Sequence, residues 1–311
     1  MKRINEDITA YLEKIVEEER EAHHDGTIDA CMESTGYTDP DMFGLCAMST
    51  RGDLKNAGHA DEIFPLESVS KALTLVFALE DVGAEELFRY VGKEPTGDQY
   101  HSITPLEEGK KGFPSNPMVN PGAIVVTSKI RGRDGDERFA RLLDFVRIIA
   151  DNPRIDYNHK MYETGDSDLH RSLFYYMRSH GAVSGSEEDS LVPYLKQTCI
   201  EMSCCDLARI AAVLANKGRD PVSGNQLIRS ENVRLSLILM LTTGMYDASG
   251  TFAVDVGLPS KSGISGAILS VVPGRMGIGT IGPAVDSSGN SIVGVRILQK
   301  LAARWRLGVF S

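Results

Sequence analysis

The spacing of apolar positions changes character several times along the chain. Ile8, Leu12, Ile15 and Val16 fall on one face of a helical repeat, which predicts an amphipathic N-terminal helix that docks on the rest of the molecule. From Phe43 the run "FGLCAMS" is short and largely apolar, as in a buried strand. "TRGD" is turn chemistry, so a second short strand and a β-hairpin are predicted there. After Ser68 the helical period takes over. Leu73, Val76, Phe77 and Leu79 open it, "RFARLLDFVRIIAD" and "MSCCDLARIAAVLANKG" continue it, and "RSENVRLSLILMLTTG" stops at a glycine. "GISGAILSVVPGRMGIGTIGP" then gives two apolar strands split by Pro273-Gly274, and "SIVGVRILQKLAARW" a closing helix.

The order helix, hairpin, helices, strands, helix predicts an α+β chain. Early and late strands pair in one antiparallel sheet, the terminal helices pack on it, and an all-helical lobe is inserted. The matching division of a single catalytic domain is a sheet subdomain over about 1–67 and 247–311, with the lobe over about 68–246. The absence of a βαβ repeat disfavours a nucleotide fold.

Composition narrows the partners. A formal charge of −10 disfavours nucleic acid and anionic membrane, which require clustered Lys and Arg. No apolar run approaches the roughly 18 residues of a membrane span. The opening "MKRINEDITAYLEKIVEEEREAHH" lacks the apolar core of a signal peptide, so a cytoplasmic protein is expected. Five cysteines without a C-x-x-C pair do not look like a disulfide or zinc framework, most of them read as small buried hydrophobes, and no metal is expected.

Two short motifs carry candidate chemistry. Ser68 and Lys71 form S-x-x-K, and residues three apart on a helix share a face. At a helix start Ser68 would lie beside unsatisfied N–H groups and the positive end of the dipole. Leu66, Val69 and Leu73 predict burial, which favours a neutral amine able to take the serine proton. Alone, the pair reads more readily as an N-cap and a solvated charge, because roughly one S-x-x-K is expected by chance in a chain this long. The second motif is Lys261-Ser262-Gly263, just before a strand. Acyl-serine enzymes of the penicillin-recognising type combine S-x-x-K with a distant K-S/T-G, whose glycine leaves room for substrate. Their third element, S-D-N or Y-x-N, has no clean counterpart. Ser230-Glu231-Asn232 fits S-x-N but reads as a helix cap, which argues against a standard β-lactamase or penicillin-binding protein.

Longer stretches carry a family resemblance from about Gly26 to Ile297. "VGKEPTGDQYHS" resembles V-G-x-E-P-S-G-x-x-F-N-S, and "NPMVNPGAIVVTS" resembles N-P-M-I/V-N-A-G-A-I-V-V. "GMYDASGTFAVDVGLPSKSGISGAI" resembles G-M-Y-D-x-S-G-x-F/W-A-x-x-V-G-L/I-P-A-K-S-G-V-x-G-G-I. These are patterns of the serine-dependent glutaminases, relatives of β-lactamases by fold. The resemblance implies a β-lactamase-like fold and cofactor-free hydrolysis of L-glutamine to L-glutamate and ammonia. It also implies a homodimer or homotetramer. By position, Ser68 would be the nucleophile, Lys71 its proton partner, and Tyr246 a proton carrier to the leaving amine. The backbone N–H groups of Ser68 and Ile264 would form the oxyanion hole. Asn120, Glu163 and Tyr194 would hold the amino-acid end of the substrate, with Ser262 of K-S-G beside them. Without the resemblance Asn120 reads as a turn residue, Glu163 as a surface charge and Tyr194 as a packing ring.

Departures from the family pattern cluster in the substrate shell. Cys31 stands where the family has the tyrosine of A-D-Y-I-P, and Glu67 where it has the glutamine before the nucleophile. Leu169-His170 replaces R-N, His101 the asparagine of F-N-S, and Pro121 an alanine. Glu67 adds a negative charge, and His170 is expected to add a positive one. The acyl-transfer machinery is thus retained while the substrate-reading shell is altered, so another amide becomes an alternative to glutamine. A penicillin-recognising hydrolase and a non-catalytic small-molecule binding protein are the remaining alternatives.

Overall fold

The computed structural model describes residues 8–37 and 39–311. Its strands are β1 (Gly44–Ser49), β2 (Leu54–Gly58), β3 (Phe64–Pro65), β4 (Asp156–Tyr157), β5 (Ile200–Met202), β6 (Ser260–Ser262), β7 (Ala267–Val272) and β8 (Met276–Ile281). Five of them make an antiparallel sheet in the order β2-β1-β8-β7-β6. Early and late strands therefore meet, with Cys46 of β1 opposite Asn56 on one side and Gly279 on the other.

The apolar pattern explains what covers each face. The Cys204–Ala215 helix lies on one face, burying Leu207, Ala208, Ala211 and Ala212. It comes so close to β8 that a Cβ on Gly279 would sit 2.4 Å from the Cys204 carbonyl oxygen. On the other face the Ile8–Glu19 and Ile292–Trp305 helices bring Leu12, Ile15 and Val16 together with Ile297, Leu298 and Leu301. Both terminal helices are where the 3.6-residue period placed them.

The inserted lobe is built around the Ser70–Asp81 helix, which is buried from Ser70 through Leu79. A helix buried all round needs a complete shell. It is supplied by the Asn120–Lys129, Gly135–Ala150 and Ser230–Thr243 helices, among others. The lobe is not purely helical, because β3, β5 and β4 form a small sheet with Pro65 opposite Glu201 and Asp156 opposite Glu201. Strands of two or three residues are too short to display an alternation, so no period announces them. Ser230-Glu231-Asn232 opens the Ser230–Thr243 helix, and Asn232 Nδ2 donates to Glu80 Oε1 at 2.6 Å. Among the described residues no single helix is long and apolar enough to cross a membrane.

Candidate active site

Ser68 does not open an α-helix as expected. Glu67–Val69 is a 3-10 turn and the helix proper starts at Ser70, so Ser68 and Lys71 flank a join between two helical forms. The join is held by Ser70 Oγ donating to the Glu67 carbonyl at 2.6 Å. It requires φ +48° at Glu67, a left-handed conformation that costs a non-glycine residue on the order of 1 kcal/mol or more. Tyr246 shows the same feature, with φ +55° in the Tyr246–Ala248 3-10 turn. Two such positions beside one serine mark a backbone held in place by its surroundings.

Lys71 is 1% exposed and Ser68 6%. Burial pushes the Lys71 amine down to about 7, against the opposing pull of the Glu67 carboxylate. The Lys71 amine donates to Asn120 Oδ1. Asn120 opens its helix with Pro121 in the first turn, where a missing N–H leaves no intrahelical bond unmade, so this departure is absorbed without cost. With Oδ1 committed to Lys71, the Asn120 amide nitrogen faces His170 Nε2 at 3.1 Å. That ring nitrogen must accept, which assigns the hydrogen of a neutral imidazole to Nδ1. Burial, then Lys71, push His170 down to about 4. At neutral pH His170 therefore brings no positive charge, contrary to the expectation from sequence, because a ring this enclosed cannot keep its proton.

Lys261 and Ser262 close the short edge strand β6, and Gly263 opens the loop that leads into β7 as the sequence placed it. The motif runs against the nucleophile turn: a Cβ on Gly263 would meet the Leu66 carbonyl oxygen at 2.6 Å. Lys261 is fully buried, donates from Nζ to the Ser262 carbonyl at 2.5 Å, and sits 4.1 Å above the Tyr246 ring. Burial, with Lys71 adding to it, pushes its amine well below the ordinary lysine range. Tyr246 packs on Tyr100 with centroids 4.5 Å apart. Its buried hydroxyl finds no well-formed hydrogen bond among the described residues. Burial raises its pKa and the adjacent Ser68 hydroxyl opposes the rise.

In front of Ser68 lies a cavity of about 790 Å³, walled by the lobe, the Ala30–Thr35 helix and the loop that carries Ile264. Ser68, Glu67, Asn120, His170 and Tyr194 line it on the lobe side, and Cys31, Glu163 and Ile264 complete the wall. Lys71, Tyr246 and Ser262 are buried and are not among its lining residues. Eight of the eleven residues singled out from sequence thus share one cleft, and the other three are buried. The Ser262 Oγ has no partner among the described residues, and the Ile264 N–H has no backbone partner among them. Cys31 is exposed at the cleft rim, unlike the buried cysteines expected from sequence, and partial enclosure with the Glu67 carboxylate raises its thiol above the ordinary range. Burial also pushes Glu67 up to about 7, with Lys71 pulling it back.

Sequence reasoning reached Lys261 only as part of K-S-G, with no role of its own, and missed Tyr100, Asp29 and Asp166. Lys261 and Tyr100 lay inside motifs already matched, so their signal was present. The two aspartates sit in loops without a pattern. Also unannounced was the clamp that fixes the cleft wall. Asn158 Nδ2 donates to Glu201 Oε1 at 2.9 Å and to Tyr37 Oη at 3.1 Å, and Tyr37 donates to Glu201. Asn158 caps the helix carrying Glu163, and Glu201 pairs with β3, which leads into Ser68.

Comparison with known proteins adds to this geometry. The glutaminase family model matches residues 26–310. A glutaminase of Alkaliphilus oremlandii is 42% identical over 301 residues, covering 96% of this chain and 99% of the relative. One from Shouchella clausii is 47% identical over 258 residues, 82% of this chain and 83% of the relative. A probable glutaminase from Bacillus subtilis superposes with TM-score 0.91 at 32% identity, covering 98% of each chain. A covalent complex of a Bacillus subtilis glutaminase with 5-oxo-L-norleucine, formed from 6-diazo-5-oxo-L-norleucine, superposes with TM-score 0.87 at 30% identity. It covers 98% of this chain and 100% of that one. The α+β, β-lactamase-like class read from the sequence is the fold of these neighbours.

Proposed function

We propose, from the premise that this chain belongs to the glutaminase family, that it hydrolyses the side-chain amide of L-glutamine to L-glutamate and ammonia through a seryl acyl-enzyme. The observation that carries the mechanism is the environment of Lys71. A buried amine poised near neutrality three residues after a serine is a competent base, because it is unprotonated in a useful fraction of molecules and still basic enough to accept a proton.

Lys71 takes the Ser68 proton as Oγ bonds to the side-chain carbonyl carbon. The negative charge that develops on the carbonyl oxygen falls to the backbone N–H groups of Ser68 and Ile264. Tyr246, with its hydroxyl near Ser68 and a pKa kept high by burial, passes the proton to the nitrogen as the C–N bond breaks. Ammonia leaves, and water attacks the ester by the reverse proton path. Asn120, Glu163 and Tyr194 orient the amino-acid end, with the Glu163 carboxylate suited to the α-ammonium group. His170 donates from Nδ1 to the substrate, Cys31 and Glu67 shape the rest of the contact, and Ser262 backs the wall from behind. No cofactor is invoked. The same reading extends to a cytoplasmic homodimer or homotetramer, on the strength of the family resemblance.

Ammonia release from L-glutamine by wild type and Ser68→Ala tests the reading. The variant is expected to lose at least about a thousandfold in kcat. Trapping with 6-diazo-5-oxo-L-norleucine should add one adduct at Ser68, read by peptide mass spectrometry. Undiminished turnover in Ser68→Ala would refute the nucleophile assignment.

A further inference from the structure

The charges facing the cleft are lopsided. Asp29, Glu67, Glu163 and Asp166 all line it. The guanidinium among the lining residues, Arg171, is already engaged by Glu187 at 2.7 Å and Asp168 at 3.6 Å. No lysine lines the cavity among the described residues; Lys71 stands behind it and is bonded to Asn120. Of the two lining imidazoles, His101 and His170, the second is held neutral by the bond it accepts from Asn120. One carboxylate suffices to pair an α-ammonium group. Asp29 and Asp166, each accepting one backbone N–H, and Glu67, whose charge is partial near neutrality, still leave the lining net negative, so a free α-carboxylate entering the cleft meets like charge. The cavity, about 790 Å³, is also well into the range of sites that hold ligands larger than one amino acid.

We propose that the preferred substrate of this cleft is a glutamine whose α-amine is free and whose α-carboxyl is tied up as an amide, as at the amino end of a short peptide. The inference rests on the amide-hydrolase reading above and deepens it. The chemistry is unchanged: the Ser68 oxygen bonds to the side-chain carbonyl carbon, the C–N bond breaks, ammonia departs with the transferred proton, and water releases the acid. Masking the α-carboxyl removes one negative charge from the ligand and leaves the cation that the acidic wall attracts.

The test compares L-glutamine with its α-N-methylamide, which carries one primary amide only. Ammonia release is measured at pH 7.5, Ser68→Ala serves as the blank, and the product is identified as the glutamate α-methylamide so that spontaneous cyclisation is not counted. The expected result is a kcat/KM at least about tenfold higher for the methylamide, or about 1.4 kcal/mol of discrimination. In Asp29→Asn/Asp166→Asn, where asparagine keeps the capping ability of residue 29, free glutamine should gain at least severalfold relative to the methylamide. A wild-type preference for free glutamine, or a ratio unmoved by the double substitution, would overturn the inference and leave the amide-hydrolase reading standing. Ammonia from neither compound would overturn both.

Discussion

A lysine at 1% exposure must shed its charge or find a counter-ion, and Lys71 does part of each. Burial pushes its amine down to about 7 while Glu67, itself pushed up to about 7, pulls the other way. The two groups titrate as a pair, so any apparent pKa of activity belongs to both. The base form is the unprotonated amine, so kcat/KM is expected to climb as pH rises through about 7 and to fall below it. Glu67→Gln removes the carboxylate that favours the protonated amine. The acid limb should then move to lower pH, as a pH profile of ammonia release would show; a limb that stays put or moves up contradicts the coupling. Residue identities of this kind were legible in the sequence through S-x-x-K and K-S-G. Their charge states were not, because His170 looked cationic until the bond from Asn120 and its burial fixed the ring as neutral.

The elements that bear these residues act through close backbone approach. β6 sits against the Glu67–Val69 turn because Gly263 has no Cβ, and adding one would bring it within 2.6 Å of the Leu66 carbonyl oxygen. Gly263→Ala is therefore expected to shift the turn that carries Ser68. Displacements of about 1 Å at a reacting group cost roughly a hundredfold in rate. The loss should appear in kcat of ammonia release, with a destabilisation of about 1–3 kcal/mol by denaturant titration. A variant with wild-type kcat would mean that the strand can retreat without consequence. Elements with a long period, such as the Cys204–Ala215 and Ile292–Trp305 helices, announced themselves in sequence. The 3-10 turn at Ser68 did not, since a positive φ on a glutamate leaves no residue signature. The short β4 and β5 were hidden for want of length.

Across the whole molecule, the cleft in front of Ser68 is walled mainly by the lobe and the Ala30–Thr35 helix, whereas the packing of the terminal helices lies on the sheet face away from the Cys204–Ala215 helix. Leu301 is fully buried there among Leu12, Ile297 and Leu298. Leu301→Ala should cost about 2–5 kcal/mol of stability, measured by denaturant unfolding, with kcat and KM for amide hydrolysis nearly unchanged below the transition. A large kinetic change without a stability loss would show that the two faces are coupled. The α+β order of elements and the sheet made from both ends of the chain were legible because each segment keeps one period for many residues. The clamp of Tyr37, Asn158 and Glu201 was not, because it joins residues from three distant segments whose meeting only the tertiary structure reveals.

The single amide of Asn120 has one further consequence. It cannot turn over without setting its NH₂ group against the Lys71 amine and its oxygen against His170, so its orientation ties the tautomer of the imidazole to the side facing the lysine. Nitrogen-15 labelling of the histidine ring would thus provide a spectator probe, in which the Nδ1 and Nε2 chemical shifts register the protonation of a neighbour they never touch.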